Sequence, residues 1–340
     1  MRVFVYEYGC AQSSADSLIP PSIQREGWAM LEALLEDFNS TPGVETTCLL
    51  HESFQGNPSG KKCRLMGSEE EENVFRELAR QADYTVVIAP ELRQILLERA
   101  RWAEEHSTLL SPLPAAVRLA GDKLALCGYW QSQGIPTPDT YLVGSGIAVP
   151  SPYPVVVKPR FGAGSTATRR ADDPQDFLEA LGECGNELSE GDLIAQRYVD
   201  GIPASVGFLA CEETALPLLA GHQHLSDDGC LHYLGGELPL PEDLARRALA
   251  LGRRAIGNMR GLRGYVGVDL VLGPDPGGSG DYAIEINARL TTTYVGLRQL
   301  AEDNLAQVML QIVQGTEVPA IRWRPGKVRF RADGSIDAPA

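Results

Sequence analysis

At 340 residues, the chain has room for two or three domains of roughly 100–200 residues each, and its 44% hydrophobic and 22% charged content is ordinary for a soluble globular protein. Forty-five acidic residues against 30 basic give a formal charge of −15, which repels phosphate backbones and anionic lipids and so argues against nucleic-acid or membrane partners. No stretch is apolar for long enough to span a bilayer, and the seven scattered cysteines, without a C-x-x-C pair, read as reduced thiols of a cytoplasmic protein.

MRVFVYEY at the N-terminus reads as a buried strand with Glu7 inside it. After Pro20-Pro21 comes a helix whose apolar stripe is Ile23, Met30, Leu31, Leu34, Leu35 and Phe38. TTCLL (46–50) is a second strand, EEEEN (69–73) opens a second helix at its dipole-favoured end, and ADYTVVIAP (82–90) is a third strand. Strands alternating with helices predict a parallel sheet, so residues 1–110 are expected to form a small α/β domain.

Ser111-Pro-Leu-Pro114 reads as a linker, and DKLALCGYWQSQ (122–133) as a helix stopped by Gly134. Residues 111–200 then hold this helix, the strand PYPVVVKPR (152–160), the loop FGAGS, a helix over 174–184 and the strand DLIAQRYV (192–199). From 201 to 316 the pattern changes to VGFLA, LPLLAGHQHL, a helix over 241–259, the strands GYVGVDLVL and DYAIEINA, and a helix at about 301–313. Residues 317–340 hold one short strand, 327–330, and an Ala/Pro end.

The run DYAIEINARL sets Glu285, Asn287 and Arg289 at every second position of a strand, hence on one face. Gly273-Pro-Asp-Pro-Gly-Gly-Ser-Gly280 is a strong turn signal, and Gly277 stands midway between Asp269 and Glu285. A symmetric hairpin therefore places those carboxylates opposite each other, with Gly267 across from Asn287 and with Val266, Val268, Leu270, Leu272, Ile284 and Ile286 on the other face. Opposed like charges cost energy unless a cation joins them. Asp, Glu and an Asn carbonyl are oxygen ligands of the kind Mg²⁺ takes when it also holds phosphate.

A phosphate partner calls for a basic, glycine-rich element elsewhere. Lys158 ends an otherwise apolar strand and is followed by Gly162, Gly164 and Ser165, a loop able to turn backbone N–H groups toward an anion. The chain has no Walker A sequence, and GSGIAV (144–149) lacks the third glycine and the helix of a dinucleotide fingerprint. Lys123, in the first turn of a helix, opposes the dipole and reads as serving something beyond it.

In this order, these elements resemble the ATP-grasp superfamily. They are Asp122-Lys123 before a helix ending in G-I-P-T-P, V-V-V-K158-P with a glycine loop, A-Q-R-Y-V-D-G (195–201), G-V-D269 and E285-I-N287-A-R289. The resemblance covers about 111–315 and implies an ATP-grasp fold behind an N-terminal α/β pre-ATP-grasp domain. It implies that Lys123 and Lys158 contact ATP phosphates under a lid of residues 161–166 that includes Gly162, Gly164 and Ser165. It further implies that Gln196, Arg197, Tyr198, Val199 and Asp200 form the nucleotide hinge and that Asp269, Glu285 and Asn287 hold Mg²⁺, with Mn²⁺ as an alternative. Arg289 and Lys158 are then the catalytic pair, facing the reacting phosphoryl and acyl oxygens. Many members carry glutamate where Gln196 and Pro203 stand here, which leaves ribose recognition to Asp200 or Ser205.

Within the superfamily the chain most resembles the tyramine–L-glutamate ligase type of methanofuran-like cofactor biosynthesis. The carriers are V-Y-E-Y, P-P-S-x-x-x-E-G, D-G-I-P-A-S-V, L-L-A-G-H-Q-H-L, L-H-Y-L-G-G and L-T-T-T-Y-V-G-L. The implied activity is ADP-forming carboxylate–amine ligation through an acyl phosphate, with small-molecule acid and amine substrates and room for a homodimer. A peptide, poly-glutamate or D-Ala–D-Ala-like ligase and a non-catalytic nucleotide-binding regulator remain as alternatives. Tyr233 with Gly235-Gly236 is a candidate for the substrate pocket, Thr291–Thr293 for hydroxyls toward substrate or phosphate or else as helix-capping residues, and Ser22, which also reads as an N-cap, and Glu26 for acceptor-side contacts; His222 and His224 are candidates of lesser weight.

Overall fold

A computed structural model describes residues 1–13, 19–65, 70–144, 152–187, 192–212, 214–318 and 320–337. Most of GSGIAV, from Ser145, and the last three residues of the Ala/Pro end lie outside them, as does Glu69 at the head of the acidic run.

The first 110 residues form β1 (Arg2–Glu7), α1 (Tyr8–Ala11), α2 (Pro21–Asn39), β2 (Glu45–His51), β3 (Lys61–Leu65), α3 (Glu71–Gln81), β4 (Tyr84–Ile88), α4 (Ile95–Glu104) and β5 (Thr108–Leu109). The strands are all parallel, in the order β3-β2-β1-β4-β5. Chain direction across the sheet reverses between β1 and β4, which opens a crevice at their carboxyl ends. The α2 stripe is buried as its spacing predicts, with Met30, Leu31, Leu34, Leu35 and Phe38 packed in the core. β3 escapes the pattern because Lys61-Lys62-Cys63-Arg64 carries the charges of an edge strand rather than alternating apolar residues.

The expected linker at 111–114 instead runs straight into a helix, α5 (Pro114–Gly121). Pro114 sits at its first position, where a missing N–H costs nothing. Asp122 then caps α6 (Lys123–Ser132), accepting from the Ala125 N–H at 3.1 Å. Beyond it, β6 (Thr140–Leu142), β7 (Val155–Pro159), β8 (Arg169–Ala171) and β9 (Leu193–Arg197) make an antiparallel sheet ordered β6-β9-β7-β8, with α7 (Pro174–Glu187) packed on it. Val155, Val157, Phe177, Ala180, Cys184 and Ala195 give this unit its own small core.

The third sheet is antiparallel. It comprises β10 (Ile202–Cys211), β11 (Thr214–Leu225), β12 (Tyr233–Leu238), β13 (Arg263–Leu272), β14 (Tyr282–Asn287) and β15 (Val328–Arg331), ordered β14-β13-β10-β11-β12-β15. α8 (Glu242–Ile256), α9 (Thr293–Leu300) and α10 (Leu305–Val313) complete it. The predicted helix at about 301–313 begins only at Leu305, where Asn304 caps it, because the chain leaves α9 at Leu300 and pairs Ala301 with Trp323 before turning helical again.

Two hydrophobic clusters tie the first sheet to the third. One joins Phe4, Tyr6 and Phe75 to the network that holds Val206, Phe208, Val266 and Val268. The other joins Val3, Val5, Leu31 and Leu34 to that of Leu209, Tyr265 and Leu297. Across the same seam the Arg298 guanidinium meets Asp37 at 2.7 Å, and the Tyr294 hydroxyl donates to Asp37 at 2.7 Å. The fold is thus the expected mixed α/β architecture. Among the described residues no helix is long and apolar enough to cross a membrane.

Candidate active site

The β13–β14 hairpin pairs Asp269 with Glu285 and Gly267 with Asn287, the register its turn implies. A bulge follows at once: Leu270 pairs with Ala283, which leaves Ile284 as the extra residue. Ile284 was expected on the far face with Ile286. It lines the cavity instead, as does Leu270, expected on the same far face, because the bulge breaks the alternation there. The room that Gly267 leaves is taken by Thr291, whose Cγ2 would lie 2.8 Å from a Cβ at that position.

These carboxylates face a cavity of about 250 Å³ bounded by the second and third sheets and by α2. Lys123, Lys158, Gly162, Gly164 and Ser165 line it, together with Gln196, Arg197, Tyr198 and Val199. Asp269, Glu285, Asn287 and Arg289 line it too. Of the nucleotide- and metal-side candidates, Asp200 alone is not in the lining; it is exposed, while Ser205 and Pro203 reach the cavity. Glu26, Tyr233 and Thr291–Thr293 also line it, whereas Ser22, His222 and His224 do not. Gly235 and Gly236 serve the sheet rather than the pocket: a Cβ at Gly235 would meet the Phe330 carbonyl oxygen at 2.1 Å.

The electrostatics divide into a cationic and an anionic half. Lys158, buried at the end of β7, donates to Gln196 Oε1 at 2.9 Å, and Gln196 Nε2 donates to Thr140 Oγ1 at 2.9 Å. Burial pushes the Lys158 ammonium down to about 8, although Glu285 draws it back up. A glutamate at 196 would cancel that charge; glutamine orients the lysine and leaves it to attract an anion. Lys123 donates to the Gly162 carbonyl at 2.8 Å and lies 3.5 Å from Glu285 Oε2, which ties the loop after β7 to the hairpin.

On the anionic side Asp269 accepts from Gln223 Nε2 and from Asn287 Nδ2, each at 2.9 Å. Burial, and next the charge of Glu285, raise the Asp269 carboxyl. For Glu285 the opposing pull of Lys123 and Lys158 outweighs burial, so it is held down. Two half-buried carboxylates in mutual repulsion, beside an amide and with no softer donor, fit a hard divalent cation such as Mg²⁺. Arg289 is half-buried behind them. Its Nε lies 3.2 Å from Glu91, its Nη1 donates to the Leu290 carbonyl at 3.1 Å, and its Nη2 lies 3.5 Å from Asn287 Oδ1.

Sequence reasoning did not single out Glu91, Thr140 or the apolar walls Val156, Leu270 and Val271. Glu91 carried a signal in its place directly after a predicted strand, where parallel sheets collect functional groups. The apolar walls carried none, since nothing separates them from core residues before folding.

The ATP-grasp domain family matches residues 120–293, and the pre ATP-grasp 3 domain family matches residues 44–117. The tyramine–L-glutamate ligase of Methanocaldococcus jannaschii is 25% identical over 327 residues, covering 93% of this chain and 90% of its own. That of Methanocaldococcus fervens is also 25% identical, covering 93% and 95%. Among solved structures, a protein from Archaeoglobus fulgidus assigned to the ATP-grasp superfamily superposes with a TM-score of 0.72 at 23% identity, over 97% of this chain and 92% of the other. The L-amino acid ligase from Bacillus licheniformis follows the same fold, with a TM-score of 0.66 at 20% identity over 92% and 73%. The family match spans the hairpin, the lysines and the hinge together, and the chain belongs to the ATP-grasp family, as an ATP-dependent ligase.

Proposed function

We propose that this ligase joins the γ-carboxyl group of L-glutamate to tyramine or a similar amine, at the expense of ATP. The observation that carries the reading is the Asp269–Glu285 pair, opposed in register and flanked by Lys123 and Lys158 in one cavity. The substrates come from the two archaeal relatives that match along nearly the whole chain.

Lys123, Lys158 and the N–H groups of the loop holding Gly162, Gly164 and Ser165 would take the triphosphate. Gln196, Arg197, Tyr198 and Val199 would line the base, with Val156 and Ile284 as its apolar walls and Ser205 beside the ribose. Asp269, Glu285 and Asn287 would hold Mg²⁺, which when bound neutralises phosphate charge. A substrate carboxylate oxygen attacks the γ-phosphorus and the bond to ADP breaks. The amine nitrogen then attacks the acyl carbon, phosphate departs with the electron pair of the C–O bond, and the amine proton passes to solvent. No protein nucleophile is needed. The chain's contribution is alignment and a fixed field from Lys158 and Arg289 where charge moves.

Phosphate release from Mg-ATP with L-glutamate, with and without tyramine, tests this when joined to mass spectrometry of the product. Release that requires both substrates and yields a glutamyl-tyramine mass is the expected outcome. No phosphate release with these substrates, alongside tight ATP binding, would reject them and keep the ligase.

A further inference from the structure

Resting on that reading, we propose that Glu26 sets specificity on the acid side: its carboxylate binds the non-reacting ammonium of an α-amino acid whose distal carboxylate is activated. Glu26 lies on α2 and lines both the main cavity and a side pocket that Glu7, Gly27 and Arg289 share. That pocket opens at the carboxyl ends of β1 and β4, where the strand order of the first sheet reverses. Open α/β sheets take small ligands at this point.

The charges on this wall do not balance. Arg289 pairs with Glu91 and the Leu290 carbonyl, and its single charge is shared with Glu26 and Glu7 as well, three carboxylates to one guanidinium. Glu26 accepts a hydrogen bond from the Thr292 hydroxyl, a neutral donor. Glu7 lies behind it: a Cβ on Gly27 would sit 2.3 Å from Glu7 Oε1, so the glycine makes room for this second carboxylate. Burial raises the Glu26 carboxyl, and the Thr292 bond and the shared Arg289 charge offset only part of that. A substrate cation would supply the missing partner. Lys123 and Lys158, by contrast, line the main cavity but not this side pocket, which leaves that part of the cavity cationic and suited to the carboxylate being activated.

The ammonium bound here is not the attacking one. A nucleophilic amine must give up its proton, and a carboxylate that grips an ammonium stabilises the protonated, unreactive form. An ionic grip therefore suits a group that only positions the acid.

The test compares L-glutamate with glutarate, the same diacid without its amino group, in wild type, Glu26→Gln and Glu26→Asp, at saturating Mg-ATP and tyramine. Wild type should prefer glutamate by about 100-fold or more in kcat/KM, as expected of a site built around a polar group of its substrate. Glu26→Gln should bring that preference close to unity with the KM for tyramine unchanged, and Glu26→Asp should restore part of it. Persistence of the preference in Glu26→Gln, or a change confined to the tyramine KM, would overturn the assignment and leave the proposed function standing. Wild type that uses both acids equally would do the same. Wild type that uses neither would overturn the proposed function, and this assignment with it.

Discussion

Glu285 is placed where its charge is felt by Lys123 and Lys158 at once, so replacing it with a neutral isostere alters the site without leaving a hole. Glu285→Gln should keep the wild-type melting temperature and lower Mg-ATP-dependent turnover by roughly 100-fold or more. Unchanged turnover would remove Glu285 from the metal assignment. Glu7 makes a different kind of prediction. It accepts from the Cys10 N–H at 2.7 Å, and burial raises its carboxyl from 4.5 to about 7. The folded state therefore holds this proton more tightly than the unfolded chain. The contribution to stability is full below about pH 4.5 and is lost as pH rises through about 7, by an amount on the order of 3 kcal/mol. Glu7→Gln should flatten the dependence of unfolding free energy on pH across that window, in denaturant titrations at several pH values. A variant as steep as wild type would show that Glu7 ionises normally.

At the scale of elements, the loop after β7 meets the first turn of α2. Gly164 has φ +66, and a Cβ there would lie 2.4 Å from Ile23 Cδ1. Gly164→Ala is thus strained twice, by backbone conformation and by the neighbouring helix. It should lower kcat by roughly 10- to 100-fold through misplaced phosphate contacts, with the melting temperature little changed. A steady-state comparison with wild type reads this directly, and an unaltered kcat would show that the loop adapts. The β13–β14 bulge teaches a related lesson. The turn composition made the pairing of Asp269 with Glu285 legible, but nothing in the sequence marked Ile284 as the residue that breaks the alternation.

For the whole molecule, the cores decide which parts move together. The first and third sheets share two hydrophobic clusters and the Asp37–Arg298–Tyr294 contact, while the second sheet packs on its own core. Asp37→Ala leaves the buried Tyr294 hydroxyl without its acceptor and the Arg298 guanidinium with Glu36, 3.0 Å away, in place of two carboxylates, and should cost about 2 kcal/mol in denaturant unfolding. A loss within experimental error would show that the hydrophobic seam suffices alone. Hydrogen exchange in β7, β9 and α7 should slow on adding Mg-ATP more than in β1 and β4, because the second sheet rests on a small core of its own outside the two clusters that join the other sheets. Equal slowing would argue that the three sheets behave as one body.

The sequence by itself determined the order of elements and the chemistry they carry. Period-two alternation put Glu285, Asn287 and Arg289 on one face, a glycine-rich turn set their partner as Asp269, and an apolar strand ending in Lys158 announced an anion. Such signals are local, since each depends on residues a turn or a hairpin apart. Only the tertiary structure decided which distant groups meet: Glu91 behind Arg289, Gln196 under Lys158, Gln223 on Asp269, and Glu26 across from the hairpin on a helix more than 200 positions earlier in the chain. Those meetings follow from how three sheets pack. Packing is fixed by the summed burial of apolar surface, and no single stretch of sequence records that sum.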